Sequence, residues 1–310
     1  MIAVLGPTAA GKSELALRLA EDLGGEIINA DSMQLYAGMD IGTAKLTAAE
    51  RRGIPHHLLG VWDVRYAANV AEYQRLARAA IAEVTGRGRV PILVGGSGLY
   101  LRAALDELDF PGTDPAVRDR LEQDLAQHGP AALHARLAAL DPAAAGGILP
   151  SNGRRIVRAL EVIEVSGRPF TATLPRYESV YPAVQLGLRV PRAELDERIA
   201  ARVDRMWQAG FVAEVRRLEQ VGLRAGRTAS RALGYAQVLR FLAGEWTEQQ
   251  AREETIKATR RFARRQEAWF RRDPRVTWLD AGHGADPHRL ALATISTCGS
   301  AKGMAPRTTS

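Results

Sequence analysis

A single cysteine, Cys298, stands in 310 residues, so the chain has no internal disulfide framework and no set of thiolate ligands for a metal. The six histidines follow no regular metal-ligand spacing, which removes support for structural zinc. No apolar run approaches the roughly 18 residues needed to cross a bilayer. The opening residues MIAVLGPT lack a basic segment and run directly into a glycine-rich turn, so they read as a core strand rather than a secretory leader. These absences lead to the expectation of a soluble protein in a reducing compartment, the cytoplasm.

What is present describes an ordinary globular chain, 46% hydrophobic and 25% charged. Its length exceeds the roughly 250 to 300 residues at which single cores stop growing, so two unequal units are expected. The formal charge of +7 gains meaning from its placement. Residues 251–275 hold nine basic side chains against four acidic ones, a local excess of five that attracts a polyanion.

The order of elements predicts an α/β fold, a P-loop NTPase-like, mostly parallel sheet flanked by helices. A strand at 2–5, a glycine-rich turn, a helix at about 13–23 and a second strand at 26–30 open the chain. A helix at about 70–84 and an apolar strand at 90–94 follow. The first part of the core then spans 1–111. Turn chemistry in FPGTDP introduces a small helical insertion at 112–180, with helices at about 116–127, 131–139 and 154–165. Strand character near 184–190 marks the return to the core, and helices dominate 181–282, among them an amphipathic one over 248–270. Its packed face is expected to include Ile256, Phe262 and Trp269. In the tail, 283–310, a short helix at about 290–295 is expected, with a disordered end.

The strongest motif is Gly6-Pro7-Thr8-Ala9-Ala10-Gly11-Lys12-Ser13, a complete G-x-x-x-x-G-K-S between a strand and a helix. Its glycines let the backbone turn around an anion so that N–H groups and the helix terminus face it. Lys12 adds a positive charge and Ser13 a hydroxyl suited to Mg2+. Such a loop fixes the ligand type and leaves the reaction open. Kinases and ATPases use it on a transferring phosphoryl group of ATP, and the same donors serve a departing diphosphate. A motor or switch ATPase needs an acid after a hydrophobic strand, but here that strand ends in Gly95-Gly96-Ser97-Gly98. Asp31, at the tip of the second strand, is the better-placed carboxylate. A non-catalytic RNA-binding protein that retains phosphate binding is a further alternative.

The blocks GPTAAGKSELA (6–16), NADSMQLYAGMDIGTAK (29–45), PHHLL (55–59), GGSGLYLRA (95–103), RRIVRALEVIEVSGRP (154–169), SRALGY (230–235) and TRRFARRQEAWFR (259–271) occur in this order. Together they resemble bacterial tRNA dimethylallyltransferases, also called tRNA isopentenyltransferases, as far as about residue 278. The resemblance implies transfer of a dimethylallyl group from dimethylallyl diphosphate to N6 of adenosine 37 in the tRNA anticodon stem-loop. It implies Asp31 as general base, Ser97 as the hydroxyl in the position usually held by threonine, and Arg231 as a diphosphate-holding arginine. Gly6, Thr8, Ala9, Ala10, Gly11, Lys12 and Ser13 match the diphosphate cradle, with Mg2+ as cofactor. Ser32, Gln34, Arg155, Arg260, Arg264, Arg265 and Gln266 are the implied tRNA contacts, while Trp269 is expected in the core. The insertion corresponds to a mobile helical domain that helps clasp the tRNA. A monomer is expected, since one tRNA-binding surface suffices. The chain departs from the family pattern at Ser151-Asn152-Gly153, at Tyr66–Asn69 and at Ala236.

Overall fold

The computed structural model describes residues 1–170 and 177–301. It divides into two compact units, Met1–Asp106 with Ser179–Ser310, and Glu107–Glu178. In the first unit, β1 (Ile2–Leu5) leads through the glycine-rich turn into α1 (Lys12–Leu23) and β2 (Gly25–Asn29). A long turn-rich segment reaches β3 (His56–His57), then α2 (Val70–Gly86), β4 (Val90–Gly95) and α3 (Gly98–Leu105). The second unit supplies α4 (Pro115–Leu140), α5 (Pro142–Gly146) and α6 (Gly153–Ser166). The first unit resumes with β5 (Val184–Arg189), α7 (Arg192–Gln208), α8 (Phe211–Gln220), α9 (Tyr235–Leu242), α10 (Glu248–Phe270), β6 (Val276–Asp280) and α11 (Pro287–Ala301).

The six strands form one sheet in the order β3-β2-β4-β1-β5-β6, and every paired neighbour is parallel. Val4 lies opposite Val94 on one side and Leu186 on the other. All four side chains of β1 are buried, which is why IAVL shows no polar alternation: both faces of the central strand are covered. Leu15, Leu19, Ile199 and Ala263 pack with these strands in one core. Among the described residues no helix is long and apolar enough to cross a membrane.

Two segments differ from the expectation drawn from the sequence. The tail forms α11 well beyond 290–295, with Ala291 buried and His288 Nε2 2.6 Å from Asp22 Oδ2 of α1. The expected disordered end, from residue 302 onward, lies outside the described residues. The packed face of α10 is also rotated from the expected one. Ala251, Thr255, Ala263, Gln266 and Phe270 are buried, whereas Trp269 keeps 37% of its surface exposed. Phe270 takes the core place, so the assignment of Trp269 to the core is corrected.

The second unit has its own core of Leu121, Leu133, Leu137, Ile156 and Leu160. Gly129, at φ 77°, breaks α4 before Pro130, so its two halves match the two helices read from the sequence. Buried Glu161 binds Arg118 and Arg158 and accepts from the Asp114 N–H. The departure at Ser151-Asn152-Gly153 has a local reason: Asn152 caps α6 through the Arg155 N–H, and a side chain at position 153 would meet Leu125 at 2.8 Å.

Candidate active site

The ends of β1, β2 and β4 adjoin in the sheet, so the turns that follow them share the C-terminal edge where parallel sheets bind ligands. After β1 the chain turns sharply at Gly6, whose φ is 135° and where an added Cβ would come within 2.9 Å of Leu188 O. Ala9 and Gly11 also have positive φ, and α1 begins at Lys12 directly behind them. This is an anion cradle with a helix terminus behind it. Lys12 Nζ lies 2.8 Å from Pro7 O. The side chain is half-buried, and burial lowers its pKa to about 8, against the opposing pull of the Asp31 charge.

The turns after β2 and β4 are tied to each other. Ser97 Oγ accepts from the Ser32 N–H at 3.1 Å and donates to Ser32 Oγ at 3.2 Å. Asp31 is oriented by Asn29, whose Oδ1 accepts from the Asp31 N–H and whose Nδ2 donates to the Asp31 carbonyl. One carboxylate oxygen of Asp31 closes the turn by accepting from the Met33 N–H at 3.0 Å. The other oxygen has no protein partner among the described residues, so Asp31 is both a turn residue and a carboxylate with a free acceptor.

A cavity of about 390 Å3 unites these turns with the C-terminal helices. Thr8, Asp31, Ser32 and Ser97 reach it from the sheet, and Arg231 reaches it from a short 3-10 turn at Ala229–Arg231. Ile199, Val203, Met206, Phe211, Leu233 and Phe262 give it an apolar wall. Arg202 of α7, absent from the residues singled out by sequence, also lines it. Arg202 donates to Thr43 O at 3.3 Å, and burial lowers its pKa while the Asp31 charge pulls the other way. Sequence reading took Ile199, Val203 and Met206 as a plain core stripe, whereas this stripe faces a cavity and carries an arginine beside it.

The cavity wall at Gly42 and Thr43 is held by Glu214, which is 1% exposed. Its carboxylate accepts from the N–H groups of Asp40, Ile41 and Gly42 at 3.1, 2.7 and 3.2 Å, and from Tyr235 OH at 2.6 Å. Burial, reinforced by Glu214, raises the Tyr235 pKa, so the phenol stays a donor.

Several expected tRNA contacts sit elsewhere. Gln266 is buried, its Oε1 accepting from the Thr8 N–H at 2.9 Å and its Nε2 donating to Gly96 O at 2.8 Å. It therefore clamps the phosphate loop to the end of β4, and the expectation of a direct RNA contact gives way to that role. Arg260 is turned onto α7, donating to Asp196 O at 3.2 Å. Gln34 donates to Thr43 O at 3.1 Å and borders a second, smaller cavity. Arg264 and Arg265 are both exposed, but only Arg265 lines the main cavity. Arg155 is exposed at the start of α6 in the second unit.

Among the described residues no group of three or more His, Cys, Asp or Glu side chains gathers as a metal cage. Mg2+ is ordinarily held by one or two protein oxygens, substrate phosphates and retained waters. The Ser13 hydroxyl, exposed in the first turn of α1 and without a protein partner among the described residues, fits that arrangement.

The sequence profile of the family described as IPP transferase matches residues 34–273. A tRNA dimethylallyltransferase of Thermobifida fusca is 74% identical over 284 residues, covering 90% of this chain and 89% of that protein. One from Streptomyces avermitilis is 71% identical over 286 residues, covering 92% and 91%. The crystal structure of the Bacillus halodurans tRNA isopentenylpyrophosphate transferase is 38% identical, with a TM-score of 0.72 over 97% of this chain and 98% of that one. A eukaryotic dimethylallyltransferase acting on tRNA is 26% identical, with a TM-score of 0.79 over 99% and 81%. The phosphate loop, the parallel sheet and these relatives agree, and the chain belongs to the IPP transferase family.

Proposed function

We propose that this chain transfers the dimethylallyl group of dimethylallyl diphosphate to N6 of adenosine 37 in tRNA and releases diphosphate. One observation carries the reading: a carboxylate, three arginines, a phosphate-loop residue and an apolar wall meet in one cavity of about 390 Å3. A phosphoryl-transfer site has no need of the apolar wall, whereas an allyl group does. The relatives' names give the same reaction class.

The lone pair of N6 is delocalised into the purine, so alignment and proton acceptance matter more than prior deprotonation. As N6 attacks C1 of the allyl group, the C1–O bond breaks and its electron pair leaves with the diphosphate. The N6 proton passes to the free carboxylate oxygen of Asp31, which must lie within about 3 Å. Lys12, the loop N–H groups, Arg202 and Arg231 stabilise the departing charge. The Ser13 hydroxyl would hold Mg2+, which when bound would supply positive charge against the same oxygens. Ser97 keeps Ser32, the neighbour of Asp31, in place through its two hydrogen bonds. Adenosine 37 leaves its stack to enter the cavity, at an unstacking cost of a few kcal/mol. Ser32, Gln34, Arg155 and Arg264 serve tRNA binding in this reading, and the chain works as a monomer in the cytoplasm.

Asp31→Asn tests the assignment of the base. It should retain tRNA binding within about threefold while lowering single-turnover transfer by at least about 100-fold, the scale of lost general-base catalysis. Wild-type transfer by Asp31→Asn would remove Asp31 from the chemistry.

A further inference from the structure

The histidine pair of β3 has no part in the reaction just described. His57 is satisfied, its Nε2 lying 2.7 Å from Glu26 Oε2 in a cluster with Arg87. His56 differs. Its Nδ1 lies 2.8 Å from Ile54 O, which makes Nδ1 the protonated nitrogen and Nε2 a bare acceptor. That Nε2 is buried and has no hydrogen-bond partner among the described residues.

His56 lines the smaller cavity, about 30 Å3, together with Ser13, Asn29 and Gln34. Ala16, Ile27, Leu46, Leu59 and Val94 complete its wall. A space of this size and polarity holds about one or two waters, which need the few polar groups present as partners. Ser13 and His56 thus line the same small, partly polar cavity. A water bound to a divalent cation donates both hydrogens and requires acceptors, and Mg2+ keeps several such waters. A lone-pair nitrogen is the right chemistry for that task, and a cationic side chain would be the wrong one.

We propose that His56 is a positioning residue for the cation site at Ser13: its Nε2 accepts a hydrogen bond from a water in this cavity that belongs to the cation's hydration shell. The inference rests on the reading of Ser13 as a cation ligand. Outer-shell partners of this kind orient the inner ligands and typically contribute about 10- to 100-fold in metal affinity.

Mn2+ binding to the full chain, with inorganic diphosphate present, can be followed through the electron paramagnetic resonance signal of the free ion. Ser13→Ala and His56→Leu should each weaken Mn2+ binding by about 10-fold or more, whereas His56→Gln, which places an amide oxygen near Nε2, should recover most of the loss. Binding of diphosphate without cation should be unchanged in His56→Leu. If Ser13→Ala weakens Mn2+ binding and His56→Leu does not, the inference is overturned and the Ser13 reading stands. Mn2+ binding indifferent to Ser13→Ala overturns the Ser13 reading and the inference with it. A measurement on the unaltered protein guards against a folding defect in His56→Leu. The 15N resonance of His56 Nε2 should move when Mg2+ and diphosphate are added together, and an unmoved resonance overturns the inference.

Discussion

Gln266→Ala removes a buried amide that joins two strand-end turns. Its Oε1 holds the Thr8 N–H at 2.9 Å and its Nε2 holds Gly96 O at 2.8 Å. The side chain lies against Gly96, where an added Cβ would come within 2.2 Å of Nε2, so the fit is close on both sides. Truncation leaves the buried Gly96 carbonyl unpaired at a cost of about 1–3 kcal/mol and the part-buried Thr8 N–H at a smaller one, so the loss of folding stability should be about 1–4 kcal/mol. Urea unfolding with an unchanged slope and a lowered midpoint is the assay. Gln266→Glu sharpens the test: the carboxylate keeps the bond to Thr8 but sets a negative oxygen against Gly96 O. Its burial raises the folded-state pKa of that carboxyl, so the destabilisation should be present at neutral pH and should shrink as pH falls and the acid becomes a donor. A loss under about 0.5 kcal/mol for Gln266→Ala would refute the clamp, because an unpaired buried carbonyl cannot be that cheap.

Glu214→Gln retains the shape but loses the charge that gathers three backbone N–H groups and Tyr235 OH, so it should cost about 2–4 kcal/mol in urea unfolding, since bonds to charged groups exceed neutral ones. Lys12, with its pKa lowered to about 8 by burial, should couple diphosphate binding to pH. Above pH 8 the empty enzyme must take up a proton to bind, and affinity measured by calorimetry should fall by up to about tenfold per pH unit, a dependence absent in Lys12→Met. The same depressed pKa makes the folded chain bind fewer protons than the unfolded one between about 8 and 10.5, so Lys12 lowers stability most below pH 8 and this penalty is relieved as pH rises. Arg264→Ala should reduce the slope of log affinity for tRNA against log salt by about one, with little effect on single-turnover transfer. Arg265→Ala, on the cavity wall, should instead lower transfer in single-turnover kinetics.

The sheet and the phosphate loop were legible because their signals are local. A fully apolar IAVL followed by Gly6 and Gly11 at fixed spacing specifies a strand, a turn and a helix start without reference to distant residues. The bounds of α10 agree with the expected 248–270, and Thr247 and Gln250 close its start reciprocally. Asp31 was singled out by the readable strand it follows, whereas Ser97 was singled out through the resemblance to the family. Arg202 was not, since its meaning depends on α7 folding over the tip of β2, a contact between residues far apart in the chain. Gln266 was misread for a related reason. Amid Arg264, Arg265 and Arg271 it looks like part of a polar face, yet it lies on the buried face with Ala263 and Phe270. Helical periodicity gives such a face to within about one residue, or 100° of rotation, and that was enough to exchange Trp269 for Phe270. The β3 strand, only two residues long, carries no periodicity at all.

Mass spectrometry of nucleosides from unmodified tRNA, incubated with the purified chain, Mg2+ and dimethylallyl diphosphate but no ATP, tests the proposed transfer most directly. A dimethylallyl adduct on adenosine, mapped to position 37 and lost in Asp31→Asn, is the expected result. No adduct across a complete set of tRNAs, from protein that binds diphosphate, would contradict it.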